Sequence, residues 1–156
     1  MSVELAKKSE KKSIQRFYKA NRYSASFIGF DSCYLIKQDE VIIACVIISR
    51  CEQPDKTTDK LLACSTGKYQ YFLHGLVVAP TFRGQGLATK LLKYALEHYQ
   101  PIICFAKENL THLYLSHGFT LVDSSAIEQV LVPTLTRRFI GYSAKENSLR
   151  AFINHQ

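Results

Sequence analysis

The stretch His74–Leu92, H-G-L-V-V-A-P-T-F-R-G-Q-G-L-A-T-K-L-L, holds the residues best spaced for chemistry, and that chemistry is the holding of an anion. Tyr71, Phe72, Leu73, Leu76, Val77 and Val78 make a nearly continuous apolar, β-favouring run. Pro80 has no N–H to give to a ladder and ends the strand. Arg83-Gly84-Gln85-Gly86 then turns the chain into a helix, where Leu87, Leu91, Leu92, Ala95 and Leu96 recur at helical spacing. The glycines allow open dihedrals and a close approach by a ligand. The first turn of a helix has N–H groups without partners, and the helix dipole makes that end partly positive. Strand, Gly-rich turn and helix together form a cradle suited to phosphate or diphosphate. The turn lacks the Gly-Lys-Ser/Thr of a P-loop, and Thr89 stands where the dinucleotide fingerprint needs a third small residue. The plain alternative is a turn that only closes a βα unit.

The details favour one kind of cradle. Arg83, Gly86 and Ala88, read as Arg-x-x-Gly-x-Ala and preceded by L-x-V-x-P, resemble motif A of the GNAT superfamily of acetyl-CoA-dependent N-acetyltransferases. H-L-Y-L-S-H-G-F, residues 112–119, is similar to the superfamily's second motif, with Tyr114 four residues before the pair Gly118-Phe119. Asn109 matches an Asn often found at the start of that helix. The two motifs span residues 70–120.

The resemblance implies acetyl-CoA as cosubstrate, CoA as product, and a primary amine of a small molecule or peptide as acceptor, attacking directly in a ternary complex. It places the cofactor against Leu76, Val77, Val78, Arg83, Gly84, Gln85, Gly86, Leu87, Ala88, Thr89 and Asn109. A non-catalytic acyl-CoA-binding sensor or interaction module is the alternative function. Homodimers occur among similar proteins, so a homodimer is an assembly the resemblance admits.

Such a transfer needs a proton donor for the departing thiolate and a base for the amine. Tyr114 is the candidate acid, because a phenol with its ordinary pKa of about 10 is protonated at neutral pH. The same residue also reads as a core aromatic, since Leu110, Leu113, Tyr114 and His117 share one helical face. Asn109 could bind pantetheine or cap the helix. His74 is the candidate base because imidazole titrates near neutrality, and it also reads as a strand histidine satisfied by a neighbour. Glu52 is a second candidate base.

The elements that must position these groups follow from periodicity. A helix is expected over Val3–Tyr18, strands over Cys33–Lys37 and Val41–Arg50, and a short strand over Leu61–Thr66 after a polar loop. The key strand is Tyr69–Val78, followed by the long helix and a strand over Ile102–Ala106. A short helix from Asn109 ends at Gly118, which reads as a left-handed cap. Beyond it lie a strand from Thr120 to Val122, a helical segment Glu128–Tyr142 with Pro133 awkwardly inside it, and a strand Leu149–Ile153. This order predicts an α+β fold with a mixed, mostly antiparallel central sheet of six to seven strands flanked by helices, in one domain over residues 1–156. The GNAT fold has that layout.

Composition removes other classes. Hydrophobic residues at 47% and charged ones at 21% describe an ordinary globular chain. No apolar run approaches the roughly 20 residues of a membrane span, and M-S-V-E-L-A-K-K has no signal-peptide core. A cytoplasmic protein without a membrane partner is therefore expected. Cys33, Cys45, Cys51, Cys64 and Cys104 show no C-x-x-C spacing, and the five histidines form no ligand cluster, so neither a metal site nor a disulfide framework is expected. The net charge of +7 is dispersed except at Lys7-Lys8, Lys11-Lys12 and Arg16, which reads as a solvated helix face. No nucleic-acid partner is expected.

Overall fold

Alternating and continuous apolar runs set the strands. The computed structural model describes residues 1–24, 31–52 and 69–155. Within them lie β1 (Glu4–Leu5), β2 (Ser32–Gln38), β3 (Val41–Glu52), β4 (Tyr69–Val78), β5 (Ile102–Lys107), β6 (Thr120–Leu121) and β7 (Leu149–Asn154). The helices are α1 (Lys11–Ala20), α2 (Leu87–His98), α3 (Thr111–Leu115), α4 (Ile127–Val130) and α5 (Pro133–Ser143). The strands form one seven-stranded mixed sheet in the order β1-β2-β3-β4-β5-β7-β6, an α+β architecture. The expected strand Leu61–Thr66 and most of the polar loop before it lie outside the described residues.

The chain divides into two compact units, with β3 and β4 running from one into the other. The first comprises residues 1–49 and 73–98. Here β2 and β3 pair antiparallel, with Tyr34 opposite Val46 and Gln38 opposite Val41. Asp39 (φ 51) and Glu40 (φ 65) make the two-residue turn between them, with both residues left-handed as a tight hairpin of this twist requires. Ile14, Phe17 and Tyr18, spaced to share one face of α1, pack on Cys33, Leu35, Cys45 and Ile47. Leu87, Leu91, Leu92 and Ala95 are the buried face of α2. Tyr94 on that helix meets Tyr34 at 4.9 Å between ring centroids.

The second unit comprises residues 50–72 and 99–156. Here β7 pairs antiparallel with β5, from Ile102 opposite Asn154 to Lys107 opposite Leu149, and with β6 on its other side. Phe72, Ile103, Ala151 and Ile153 form a core with Ile127, Leu131, Val132 and Leu135. The last strand in the sequence thus lies inside the sheet, with the residues of α4 and α5 folded against it.

Two expectations are corrected. Residues 3–18 are not one helix: Glu4 and Leu5 pair with Leu35 and Tyr34 of β2, and α1 begins only at Lys11. The Lys7 backbone is extended, and its N–H donates to Glu10 Oε2 at 2.8 Å, so the chain turns there before the helix starts. The segment 128–142 is not one helix either. Pro133 occupies the first turn of α5, where its missing N–H costs nothing, and α4 stops before it.

Candidate active site

The Gly-rich turn is built as its sequence requires. Gly84 has φ +77 and Gly86 φ +79, conformations that other residues rarely adopt, and a Cβ added at either would meet nothing within 4 Å. Neighbouring atoms do not demand glycine here. The backbone conformation does, and the space above it is open. The first helical bond of α2 runs from the Lys90 N–H to Gly86 O at 3.0 Å, so the N–H groups of its opening turn lack helical partners. Arg83 Nε donates to Val78 O at 3.0 Å, tying the arginine stem to the end of β4, and no carboxylate pairs with it among the described residues.

A cleft of about 500 Å³ lies over this turn, lined by Asn21, Tyr23, Leu76, Val77, Val78, Phe82, Arg83, Gly84, Gly86, Leu87, Ala88 and Thr89. It belongs wholly to the first unit. The cleft brings together every residue expected on the cofactor except Gln85, which is exposed outside its lining, and Asn109, which belongs to the second unit. A partly positive helix end, open amides and the last residues of β4 leading into them fit an extended ligand with a diphosphate at one end.

His74 stands two residues before Leu76 but does not line the cleft. Its Nε2 lies 2.8 Å from Ser49 Oγ on β3, and Ser49 is buried. Simple alternation would put both residues on one face, but Gly75 between them has φ +62. A left-handed glycine inside a strand marks a bulge, which re-aims the side chains around it. Glu52 pairs with Arg50 at 3.0 Å.

In the second unit Tyr114 is buried on α3, its ring stacked on Phe152 at 5.2 Å and edge-on to Phe119 at 5.5 Å. Its ring therefore takes the core-aromatic position. Gly118 is left-handed at φ +83, just beyond the helix, as expected of its cap. Asn109 is exposed in the turn Glu108–Leu110, and Leu110 rather than Asn109 precedes α3, so Asn109 does not cap that helix. Among the described residues no group of three or more His, Cys, Asp or Glu is placed to hold a metal. Burial pushes the Cys104 thiol well above its ordinary pKa, away from nucleophilic use. No described helix is long and apolar enough to cross a membrane.

Residues 4–119 match the acetyltransferase (GNAT) family. The chain belongs to the GNAT family of acetyltransferases. Acetyl-CoA is accordingly the cosubstrate. No curated protein matches by sequence. Among solved structures, N-acetylglutamate synthase from Neisseria gonorrhoeae, complexed with coenzyme A and L-arginine, is similar at 11% identity and a TM-score of 0.60, over 99% of this chain and 32% of its own. This chain thus spans about a third of that protein's length. Escherichia coli ElaA is similar at 14% identity and a TM-score of 0.59, over 99% of this chain and 100% of its own. FeeM, an N-acyl amino acid synthase from uncultured soil microbes, is similar at 14% identity and a TM-score of 0.60, over 98% of this chain and 89% of its own.

The sequence of this GNAT acetyltransferase conceals part of the cleft wall. Asn21, Tyr23 and Phe82 line the cleft without any local signal of it. Gly75 had a signal, since an isolated glycine in a strand pattern marks a bulge or a close approach. The structure shows a left-handed Gly75 and a close approach. A Cβ there would meet Tyr18 Oη at 2.9 Å, and that hydroxyl donates to Gly75 O at 2.6 Å.

Proposed function

We propose that this GNAT acetyltransferase moves the acetyl group of acetyl-CoA to a primary amine by direct attack within a ternary complex. The observation that carries the reading is the cleft itself: two left-handed glycines with open space above them, at a helix start, in line with the last residues of a strand. When bound, the cosubstrate supplies an activated acyl carbonyl and a thiol leaving group. The amides from Gly84 to Thr89 bind the diphosphate, and the Arg83 guanidinium adds positive charge beside them. Backbone groups of Leu76–Val78 hold the pantetheine as an added strand edge, and one N–H there polarises the thioester carbonyl.

The amine nitrogen forms the new C–N bond as the C–S bond breaks, and the sulfur keeps the bonding pair. Tyr114 gives the proton that converts the thiolate to the thiol, a role that rests on its place in the second motif. The ammonium proton leaves through water in the open cleft and passes toward His74, whose imidazole lies outside the lining beside Ser49. An N-acetylglutamate synthase and an N-acyl amino acid synthase share the fold, so amino-acid-like amines lead the acceptor panel.

The test is calorimetric titration with CoA, followed by thiol release from acetyl-CoA across a panel of amino acids, polyamines and short peptides. Tight CoA binding with amine-dependent thiol release supports the reading. Binding without release across the panel supports an acyl-CoA sensor instead, and absence of binding removes both.

A further inference from the structure

Gly75 is held from both sides by phenols. The Tyr18 hydroxyl donates to Gly75 O at 2.6 Å, and the Gly75 N–H donates to Tyr23 Oη at 3.0 Å. Tyr18 is fully buried under α1, where its ring meets those of Phe17 at 5.7 Å and Tyr23 at 5.4 Å. Tyr23 is 37% exposed and lines the cleft. Gly75 stands immediately before Leu76, Val77 and Val78, the strand residues of the same cleft.

The geometry of a planar peptide gives these bonds a consequence. Gly75 O and the Leu76 N–H belong to one trans peptide and point in opposite directions. A hydroxyl that fixes the carbonyl from the α1 side therefore aims the Leu76 N–H away from α1. Tyr23 fixes the preceding peptide through its N–H, so both dihedrals of Gly75 are clamped. A glycine at φ +62 would otherwise be the softest point of the strand. Tyr23 meets β4 at Gly75, upstream of Leu76–Val78 and of the Gly84–Gly86 turn that follows them. With a diphosphate at that turn, the acyl end of the ligand faces Tyr23.

We infer that Tyr18 and Tyr23 are positioning residues for acyl transfer, clamping the left-handed Gly75 so that the Leu76 N–H is aimed at the thioester carbonyl. This rests on the reading of the cleft as the acetyl-CoA site. It adds that the aim of the oxyanion donor is set by two side chains from another part of the chain. Because Tyr23 also forms the cleft wall at that end, the same ring limits the size of the acyl group.

The test uses the full chain with Y23F and Y18F, each of which removes one hydroxyl and keeps the ring. Three quantities are read: CoA affinity by calorimetry, kcat against KM for thiol release, and the carbonyl stretch of bound acetyl-CoA labelled with carbon-13 at the carbonyl. The wild-type protein lowers the stretch relative to free acetyl-CoA. In Y23F the lowering shrinks and kcat falls roughly 10- to 100-fold, as for a small misplacement of a reacting group, while CoA affinity is unchanged. Y18F behaves alike, and a thermal midpoint close to wild type shows that folding is not the cause. The spectroscopic measurement needs no acceptor. Variants that bind acetyl-CoA with the wild-type carbonyl frequency and turn over at the wild-type rate overturn the inference and leave the cofactor reading intact. A wild-type protein that binds neither CoA nor acetyl-CoA overturns the cofactor reading, and the inference with it.

Discussion

Replacing Gly86 by valine perturbs the cradle at one point, and the structure sets the size of the effect. At φ +79 a β-branched residue is strained by about 1–3 kcal/mol. That strain either remains, lowering stability, or relaxes by turning the peptide and moving its N–H out of the cleft. The added side chain also enters space that holds no protein atom within 4 Å of the Cβ, which is where a diphosphate would approach. A hydrogen bond to a charged group contributes about 1.5–3 kcal/mol, so losing one weakens CoA binding by roughly 10- to 150-fold. The assay is calorimetry with CoA and, in parallel, with pantetheine, which carries no diphosphate. G86V should weaken CoA and leave pantetheine unaffected, because Leu76–Val78 are untouched. Wild-type affinity for CoA in a folded G86V protein would refute the reasoning. Equal losses for CoA and pantetheine would refute it too, since the defect would then not lie at the diphosphate.

Other outcomes follow from single contacts. Y114F should lower kcat by about 100-fold without changing CoA affinity, as loss of a general acid does, checked by steady-state thiol release. Lys37 holds the Glu10 carboxylate through a side-chain hydrogen bond, and the Lys7 N–H adds a second, so the Glu10 pKa is lowered on folding. A carboxylate depressed in this way stabilises the fold above its unfolded pKa and loses that stabilisation as pH falls through the folded value. Urea unfolding from neutral pH down to acid should therefore show a smaller pH dependence in E10Q than in wild type. Leu135 is fully buried in the second unit, and L135A should cost about 2–5 kcal/mol in urea unfolding.

What the sequence revealed was local. The cradle is legible because Val78, Pro80, Arg83, Gly84, Gly86 and the apolar face of α2 lie within one short stretch, and each residue type has a single dominant backbone meaning. Gly118 was legible for the same reason. The Tyr23–Gly75 contact spans 52 residues and the Tyr18–Gly75 contact 57, and no periodicity links such positions. The N-terminal segment misled because Glu4 and Leu5 have ordinary helix propensity, yet the exposed edge of β2 was there to be paired. Tertiary pairing overrode local preference. Pro133 was visible in the sequence but admitted two meanings, a break within a helix or the start of one, and only the placement of Val132 and Leu135 in the core decides for the start. His74 lies outside the cleft lining, and the left-handed Gly75 between it and Leu76 interrupts the alternation that counting by twos assumes.

A structure of the protein with CoA bound would test the account at its centre. The diphosphate oxygens should lie within hydrogen-bond distance of backbone N–H groups between Gly84 and Thr89, with the pantetheine running along Leu76–Val78 toward Tyr23. A diphosphate bound anywhere else, with the Gly84–Gly86 turn facing only solvent, would contradict it.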